Sequence, residues 1–206
     1  MIVLGDATKD LARLEEYGPF GAIIIDAPWP YDNQKGHDPR RGGYTYKPMT
    51  MKDIFAMPIK NLAAKNCVLY SWGTWPKLPF CWLAMRWWGF QYVTGFPWIK
   101  LTKDWSRPVY HNGHWVGACS EFVLIGRRGR VSPPPAADRY LGLLGPSFDH
   151  SRKPESVHEL IEGNPNINGP YLELFARDDR EGWVCFGNET RPKPPVARQD
   201  SLFEIL

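Results

Sequence analysis

The chain has 206 residues, of which 43% are hydrophobic, and its 25 basic and 22 acidic side chains give a formal net charge of +3. This length is enough for one substantial hydrophobic core, so one compact domain is expected. No stretch approaches the roughly 18 consecutive apolar residues of a membrane span, and the four cysteines lack the paired spacing of a disulfide framework. We therefore expect a cytoplasmic protein and exclude membrane and disulfide-rich secreted classes.

Two short apolar runs near the start of the chain predict buried strands that end in polar turns. The first covers residues 2–4 and leads into Gly5-Asp6, and the second covers residues 22–25 and leads into Asp26. Residues 30–47 are rich in Gly, Asp, Arg, Lys and Tyr without any period. They predict a long loop, and long loops beside strand ends often act as lids.

The rest of the chain alternates between predicted strands and helices. An irregular segment with three consecutive prolines is expected at 127–151. The other predicted elements are strands at 67–71, 91–99, 121–125, 171–176 and 183–186, with helices within 77–88 and at 154–162. This alternation predicts an α/β fold in which helices flank a mostly parallel sheet.

The C-terminal end is proline-rich and predicts a flexible tail, residues 191–206, after a domain formed by residues 1–190. Within it, Gln199-Asp200-Ser201-Leu202-Phe203 resembles the short peptide by which bacterial replication and repair proteins dock into the sliding clamp. Gln199, Leu202 and Phe203 would make that contact. The alternative is that Leu202 and Phe203 pack on their own domain.

The turn after the second predicted strand contains the motif Asp26-Ala27-Pro28-Trp29. It combines a carboxylate, a neighbouring backbone carbonyl, a proline that stiffens the turn and an aromatic ring. The motif lies at the carboxyl end of a strand, where open α/β sheets bind ligands. The alternative interpretation is a strand-ending turn with a packed tryptophan.

The motif resembles the Asp-Pro-Pro-Trp turn of the MT-A70 family of adenine N6 methyltransferases, with Ala27 in place of the first proline. Further family landmarks follow in the same order between residues 5 and 189. They are Tyr46-Lys47-Pro48-Met49-Thr50, Leu69-Tyr70-Ser71-Trp72, Trp98-Ile99-Lys100, Asn112-Gly113-His114-Trp115, Lys153-Pro154-Glu155, Glu173-Leu174-Phe175-Ala176-Arg177 and Gly187-Asn188-Glu189. The order matches a circularly permuted, Rossmann-like fold that uses S-adenosylmethionine.

The resemblance implies catalytic roles for Asp26, Ala27, Pro28 and Trp29. Asp26 would accept a hydrogen bond from the adenine N6 amino group, and the Ala27 or Pro28 carbonyl would accept the second. Trp29 would stack on the flipped-out base. Because Ala27 lacks the fixed backbone angle of proline, the turn would be less rigid than in the family motif.

The resemblance also implies which residues bind S-adenosylmethionine. Lys153 would reach the carboxylate at the methionine end, where a cation is complementary. The implied cofactor-binding set is Asp6, Ala7, Asp26, Lys153, Arg177, Asn188 and Glu189. The family often has glutamine at the position of Glu189, which puts that contact in doubt.

Candidate substrate-binding residues come from the resemblance and from basic clusters in the two long loops. They are Trp29, Arg40, Arg41, Tyr46, His114, Arg127, Arg128 and Arg152, and the alternative for the arginines is a solvated surface. The pair His111 and His114 lacks further ligands nearby in sequence, so no metal site is expected.

The favoured function is DNA adenine N6 methylation in the cytoplasm of a prokaryotic or phage-infected cell. The chain is short, shows no recognisable RNA-binding appendage and ends in the clamp-like peptide, which favours DNA over RNA. Two alternatives stay open: an RNA adenine N6 methyltransferase, and a catalytically silent nucleic-acid-binding subunit. Homo-oligomers are possible because family members often pair.

Overall fold

The computed structural model describes residues 1–6, 9–31, 48–113, 115–146, 152–188, 190, 192 and 204–205. These residues form an α/β fold around a nine-stranded sheet with the order β1-β8-β7-β2-β3-β5-β4-β6-β9. The strands are β1 Ile2–Leu4, β2 Phe20–Ile25, β3 Ala63–Gly73, β4 Gln91–Leu101, β5 Ser120–Arg128, β6 Leu143–Pro146, β7 Tyr171–Leu174, β8 Trp183–Gly187 and β9 Glu204–Ile205.

The helices are short and lie between the strands. They are α1 Met51–Ala56, α2 Ile59–Leu62, α3 Leu78–Trp87 and α4 Ser156–Glu162, with 3-10 helices at Leu11–Tyr17, Trp75–Lys77 and Ala136–Asp138. The Thr50 hydroxyl accepts a hydrogen bond from the Asp53 N–H at 3.2 Å, which caps the start of α1. After α3 the chain turns at Gly89, whose φ of 86° suits a residue without a side chain.

Most strand pairings are parallel. β1, β8, β7, β2 and β3 pair successively in parallel, as do β4 and β6. β5 is reversed and lies antiparallel between β3 and β4. The predicted mostly parallel α/β fold is therefore confirmed. The reversal of β5 also brings its amino end to the edge where the parallel strands have their carboxyl ends.

The central strand β2 is buried on both faces of the sheet. Ile23 and Ile25 belong to one core cluster, whereas Ala22 and Ile24 belong to the cluster on the opposite face. This continuous apolar run is typical of a strand covered on both sides. Because β2 is fixed so completely, the polar residue that follows it, Asp26, has a well-defined position at the sheet edge.

The structure differs from the sequence prediction in several elements. The segment predicted as irregular, 127–151, contains β6, and Arg127 and Arg128 belong to β5. α1, α2 and the 3-10 helices were not predicted. At the C-terminal end, β9 pairs antiparallel with β6, and the division into a domain and a flexible tail stays a prediction. Within the described residues, no helix is long and apolar enough to cross a membrane.

Candidate active site

Asp26 begins a tight turn directly after β2. The Trp29 N–H donates to the Ala27 carbonyl at 2.8 Å, and the Met49 N–H donates to the Pro28 carbonyl at 3.1 Å. The fixed φ of Pro28 suits the centre of such a three-residue turn. Because a carbonyl oxygen has two lone pairs, each of these carbonyls can accept one further hydrogen bond.

The Asp26 carboxylate is one end of a line of four alternating charges, which we call the Asp26 chain. Lys153 Nζ lies 2.9 Å from Asp26 Oδ2 and 3.0 Å from Glu121 Oε2. Lys100 Nζ lies 2.5 Å from Glu121 Oε1. The side chains of Lys100, Glu121 and Lys153 are 13–15% exposed, whereas that of Asp26 is 32% exposed. Asp26 is therefore the most exposed of the four side chains, although about two thirds of it is buried.

The reversed strand β5 explains how this chain forms. Lys100 is near the end of β4 and Glu121 is the second residue of β5, so the antiparallel pairing brings them together. β3 places β5 close to β2, and Lys153 enters from the segment before α4. Lys100 Nζ also lies 4.8 Å from the Trp98 ring centroid, and Lys153 Nζ lies 5.5 Å from that of Trp72. The rings shield the lysines from water.

The two carboxylates of the Asp26 chain have opposite pKa shifts. Burial raises the pKa of Asp26 above its ordinary value, and Glu121 raises it further, while Lys153 only partly opposes these effects. Burial acts in the same direction on Glu121, but Lys153 and Lys100 together hold its pKa below its usual range. The difference follows from the sharing of cations, because Glu121 contacts two lysines and Asp26 contacts one.

An open pocket lies beyond the carboxyl ends of β2 and β7. This is where the strand order changes direction, since β2 has β3 on one side and β7 on the other. Phe175, in the pocket wall, has a φ of 64°, an unusual backbone conformation for an aromatic residue that is typical of functional sites. The lining residues are Asp26, Arg152, Lys153, Glu155, His158, Glu173, Phe175, Arg177, Asp178, Asp179 and Arg180.

A second group of ion pairs, the Arg180 cluster, flanks the same pocket. Arg180 contacts Glu162 at 2.7 Å and Glu155 at 3.2 Å. Arg152 contacts Asp178 at 3.1 Å and Glu155 at 3.4 Å. The Trp183 indole N–H donates to Glu162 Oε1 at 2.6 Å. The cluster, Arg152, Glu155, Glu162, Asp178 and Arg180, ties α4 to the segment after β7.

His158 and Glu173 form a polar pair in the pocket that sequence reasoning missed. His158 Nε2 lies 2.8 Å from Glu173 Oε2, and the ring packs edge-on against Trp183 with centroids 4.7 Å apart. His158 Nδ1 is buried without a hydrogen-bond partner among the described residues. This arrangement favours the tautomer in which Nε2–H donates to Glu173 and Nδ1 carries no proton.

The structure brings several predicted cofactor residues to the same edge. Lys153 and Arg177 line the pocket with Asp26, while Asp6 follows β1 and Asn188 follows β8, two strands that pair in parallel. The predicted positions Ala7 and Glu189 lie outside the described residues. Among the described residues, no three His, Cys, Asp or Glu side chains are arranged to hold a metal ion.

The predicted substrate-binding residues are not all placed beside the pocket. Arg127 and Arg128 pair with the amino-terminal half of β3, at the opposite edge from Asp26, because β5 runs in reverse. Arg128 donates there to the Lys60 carbonyl at 2.6 Å. Arg152 does line the pocket, but it is held in the Arg180 cluster. The predicted residues Arg40, Arg41, Tyr46 and His114 lie outside the described part of the chain.

The predicted stacking residue Trp29 lies in the hydrophobic core. The residue is 5% exposed, and its indole N–H donates to the Trp72 carbonyl at 3.3 Å. In this conformation the ring offers almost no face to a base. For Trp29, this placement agrees with the alternative interpretation, a strand-ending turn with a packed tryptophan. Asp26 is the partly exposed residue of the motif.

The mostly parallel sheet and the carboxylate turn at the end of its central strand are consistent with a Rossmann-like methyltransferase fold. The model of the MT-A70 family matches residues 20–189. This match covers most of the chain, and the protein belongs to the MT-A70 family.

Three relatives show the range of that family. The chain is 26% identical to the Type II methyltransferase M.MunI of Mycoplasma sp, over 82% of this chain and 77% of that enzyme. It is 30% identical to the human N(6)-adenine-specific methyltransferase METTL4 and 27% identical to the N6-methyladenosine RNA methyltransferase MTA1 of Pyricularia oryzae. These two matches cover 82% and 91% of this chain, but only 37% and 51% of the relatives.

Proposed function

We propose that this protein transfers a methyl group from S-adenosylmethionine to the N6 amino group of adenine in DNA. The observation that carries the proposal is the position of Asp26. Its carboxylate lines the pocket and lies 2.9 Å from Lys153, and the backbone carbonyls of Ala27 and Pro28 follow it directly in the chain. These groups can orient an amino group.

Adenine N6 is a weak nucleophile because its lone pair is delocalised into the ring. Asp26 accepts one N6 hydrogen, and the carbonyl of Ala27 or Pro28 accepts the other. The two hydrogen bonds favour a pyramidal nitrogen, whose lone pair then points out of the ring plane toward the methyl group. Once the N–C bond forms, one N6 proton must leave, and the Asp26 carboxylate is placed to accept it.

The pocket residues fit S-adenosylmethionine, which supplies an electrophilic methyl group on a positively charged sulfur when bound. The cations Lys153 and Arg177 would attract the carboxylate of the cofactor. The carboxylates Asp26 and Glu173 would attract its positive charge and accept hydrogen bonds from its hydroxyl groups. His158 holds Glu173 in place through the 2.8 Å contact.

The choice of DNA rests on the Type II methyltransferase of Mycoplasma sp, because this chain spans most of that enzyme. An RNA adenine N6 methyltransferase is the second candidate, and the similarity to MTA1 of Pyricularia oryzae favours it. A silent nucleic-acid-binding subunit is less consistent with the sequence, because Asp26, Pro28 and Trp29 are all retained.

The experiment that tests the proposal identifies the methylated product. Purified protein is incubated with labelled S-adenosylmethionine and duplex DNA, single-stranded DNA or RNA, and the products are digested to nucleosides. We expect N6-methyldeoxyadenosine from DNA. N6-methyladenosine from RNA alone would favour the second candidate, and binding without transfer would favour the silent subunit.

We also propose, from sequence alone, that the C-terminal tail docks into a sliding clamp through Gln199, Leu202 and Phe203, which lie outside the described residues. We further propose that the protein is located in the cytoplasm and that two copies of it pair. Truncation after Arg198 is expected to abolish clamp binding while methyl transfer persists. Unchanged clamp affinity of the truncated chain would remove the docking proposal.

A further inference from the structure

An exposed tryptophan follows β3, the strand that pairs with β2, in contrast to the buried Trp29. A base that leaves its stack to reach Asp26 is normally stabilised by aromatic rings. Trp29 is 5% exposed, whereas Trp75, which follows β3, is 49% exposed. The stacking surface for the substrate is therefore more readily supplied by Trp75.

The strand register gives the position of Trp75 relative to the catalytic carboxylate. Ile25 of β2 is in register with Ser71 of β3, so Asp26 is level with Trp72. Trp75 is three residues further along, which corresponds to about 10 Å at the usual rise of a strand. Trp75 therefore lies beyond Asp26 at the same end of the sheet.

The Trp75 ring is held in a fixed orientation. Its indole N–H donates to Ser120 Oγ at 2.9 Å, and its ring packs against buried Phe122 with centroids 5.4 Å apart. Ser120 is the neighbour of Glu121, which contacts Lys153 in the Asp26 chain. Because successive residues of a strand face opposite sides of the sheet, Ser120 and Phe122 hold the ring on the face opposite to Glu121. A ring that is already ordered loses little conformational freedom on binding.

We propose that Trp75 stacks on the nucleobase next to the target adenine and thereby positions the substrate strand across the cleft. This inference rests on the proposed function and adds a substrate contact that the sequence did not suggest. Because every base has a π-face, the contact would tolerate different neighbouring bases. Trp75 would act on substrate affinity, whereas Asp26 acts on the chemical step.

The test uses single-stranded oligothymidine with one adenine and a fluorescent 2-aminopurine on either side of it. In wild-type protein we expect quenching of the 2-aminopurine, and Trp75→Phe should retain it because a ring is still present. Trp75→Ala should lose the quenching. The KM for the oligonucleotide should rise between about 5-fold and about 100-fold, with kcat and S-adenosylmethionine affinity almost unchanged.

Trp87→Ala is the matched control, because Trp87 is 71% exposed on α3 and contacts Phe55. It should leave quenching and KM unchanged, while Ser120→Ala, which frees the Trp75 ring, should have an intermediate effect. Thermal unfolding midpoints verify that the variants fold. Wild-type protein without quenching at either position, or equal KM values for Trp75→Ala and wild type, would overturn the inference.

Failure of the inference and failure of the proposed function give different results. Methyl transfer with an unchanged KM in Trp75→Ala would remove only the stacking role. Quenching that depends on Trp75, without methyl transfer by the wild-type protein on any substrate, would retain the stacking role and remove the enzymatic one.

Discussion

Two groups of ion pairs flank the same pocket and differ in burial. In the Asp26 chain three of the four side chains are 13–15% exposed, and Lys153 is shared by two carboxylates. In the Arg180 cluster the side chains are 20–34% exposed. Similar residue types therefore have different roles. The Asp26 chain sets the charge state of Asp26, whereas the Arg180 cluster stabilises the position of α4.

The largest effect on stability is expected from Lys153→Met. The variant leaves the Asp26 and Glu121 carboxylates facing each other without the shared cation, and breaking such a buried arrangement typically costs about 3 to 5 kcal/mol. Methyl transfer should also be lost. The free energy of unfolding from urea titrations measures the effect. Lys100→Met serves as the comparison, because Lys153 still separates the carboxylates.

If Lys153→Met lowered the free energy of unfolding by less than about 1 kcal/mol, the ion pairs of the Asp26 chain would be no stronger than ordinary surface ion pairs. That outcome would remove the distinction between the two groups of charges.

Glu121→Gln is expected to change the pH dependence of activity. Glu121 raises the pKa of Asp26 and shares Lys153 with it, so the neutral variant should lower the pKa of Asp26. In the proposed mechanism the ionised carboxylate is the active form, so activity should be lost as the pH falls through this pKa. The acidic limb of the kcat/KM profile should therefore move to lower pH. An unchanged profile, or a shift in the other direction, would contradict the account.

The smallest effect is expected from Glu162→Gln in the Arg180 cluster. Hydrogen bonds from Arg180 and Trp183 hold the pKa of Glu162 below its usual range. Its stabilising contribution is thus present above the ordinary glutamate pKa and is lost as the pH falls through the folded-state value. For a partly exposed pair we expect about 1 kcal/mol or less at neutral pH, with an unchanged acidic limb of the kcat/KM profile.

Thermal or urea unfolding of wild type and Glu162→Gln at neutral and acidic pH measures this contribution. The difference between the two proteins should vanish in acid. A shifted kcat/KM profile in Glu162→Gln would show that the cluster also controls Asp26.

The sequence predicted the central strands and the position of Asp26, but it could not predict the direction of β5. Apolar runs identify strands, whereas the reversal of β5 depends on tertiary pairing with β3 and β4. For this reason Lys100 and Glu121 were not recognised as neighbours of the site, and Arg127 and Arg128 were expected beside it. A lysine ending one strand and a glutamate beginning the next would have been the signal for an antiparallel pair.

Short elements were the other difficulty. β6 has only four residues, including Gly145 and Pro146, and it is a strand because it pairs with the end of β4. Such composition predicts a loop when the partner strand is unknown. Burial also depends on tertiary packing, so the sequence could not show that Trp29 is buried and Trp75 is exposed.

The most direct test of the account compares methyl transfer by wild type, Asp26→Asn and Asp138→Asn in single turnovers with saturating S-adenosylmethionine. Asp138 is an exposed aspartate distant from Asp26 in the chain and serves as the matched control. Asparagine keeps one acceptor oxygen but loses the negative charge and cannot take up the departing proton. Losing a preorganised electrostatic group typically slows a reaction by about 10²- to 10³-fold, and we expect this for Asp26→Asn alone. A rate for Asp26→Asn within a few-fold of wild type would contradict the central role of the Asp26 carboxylate.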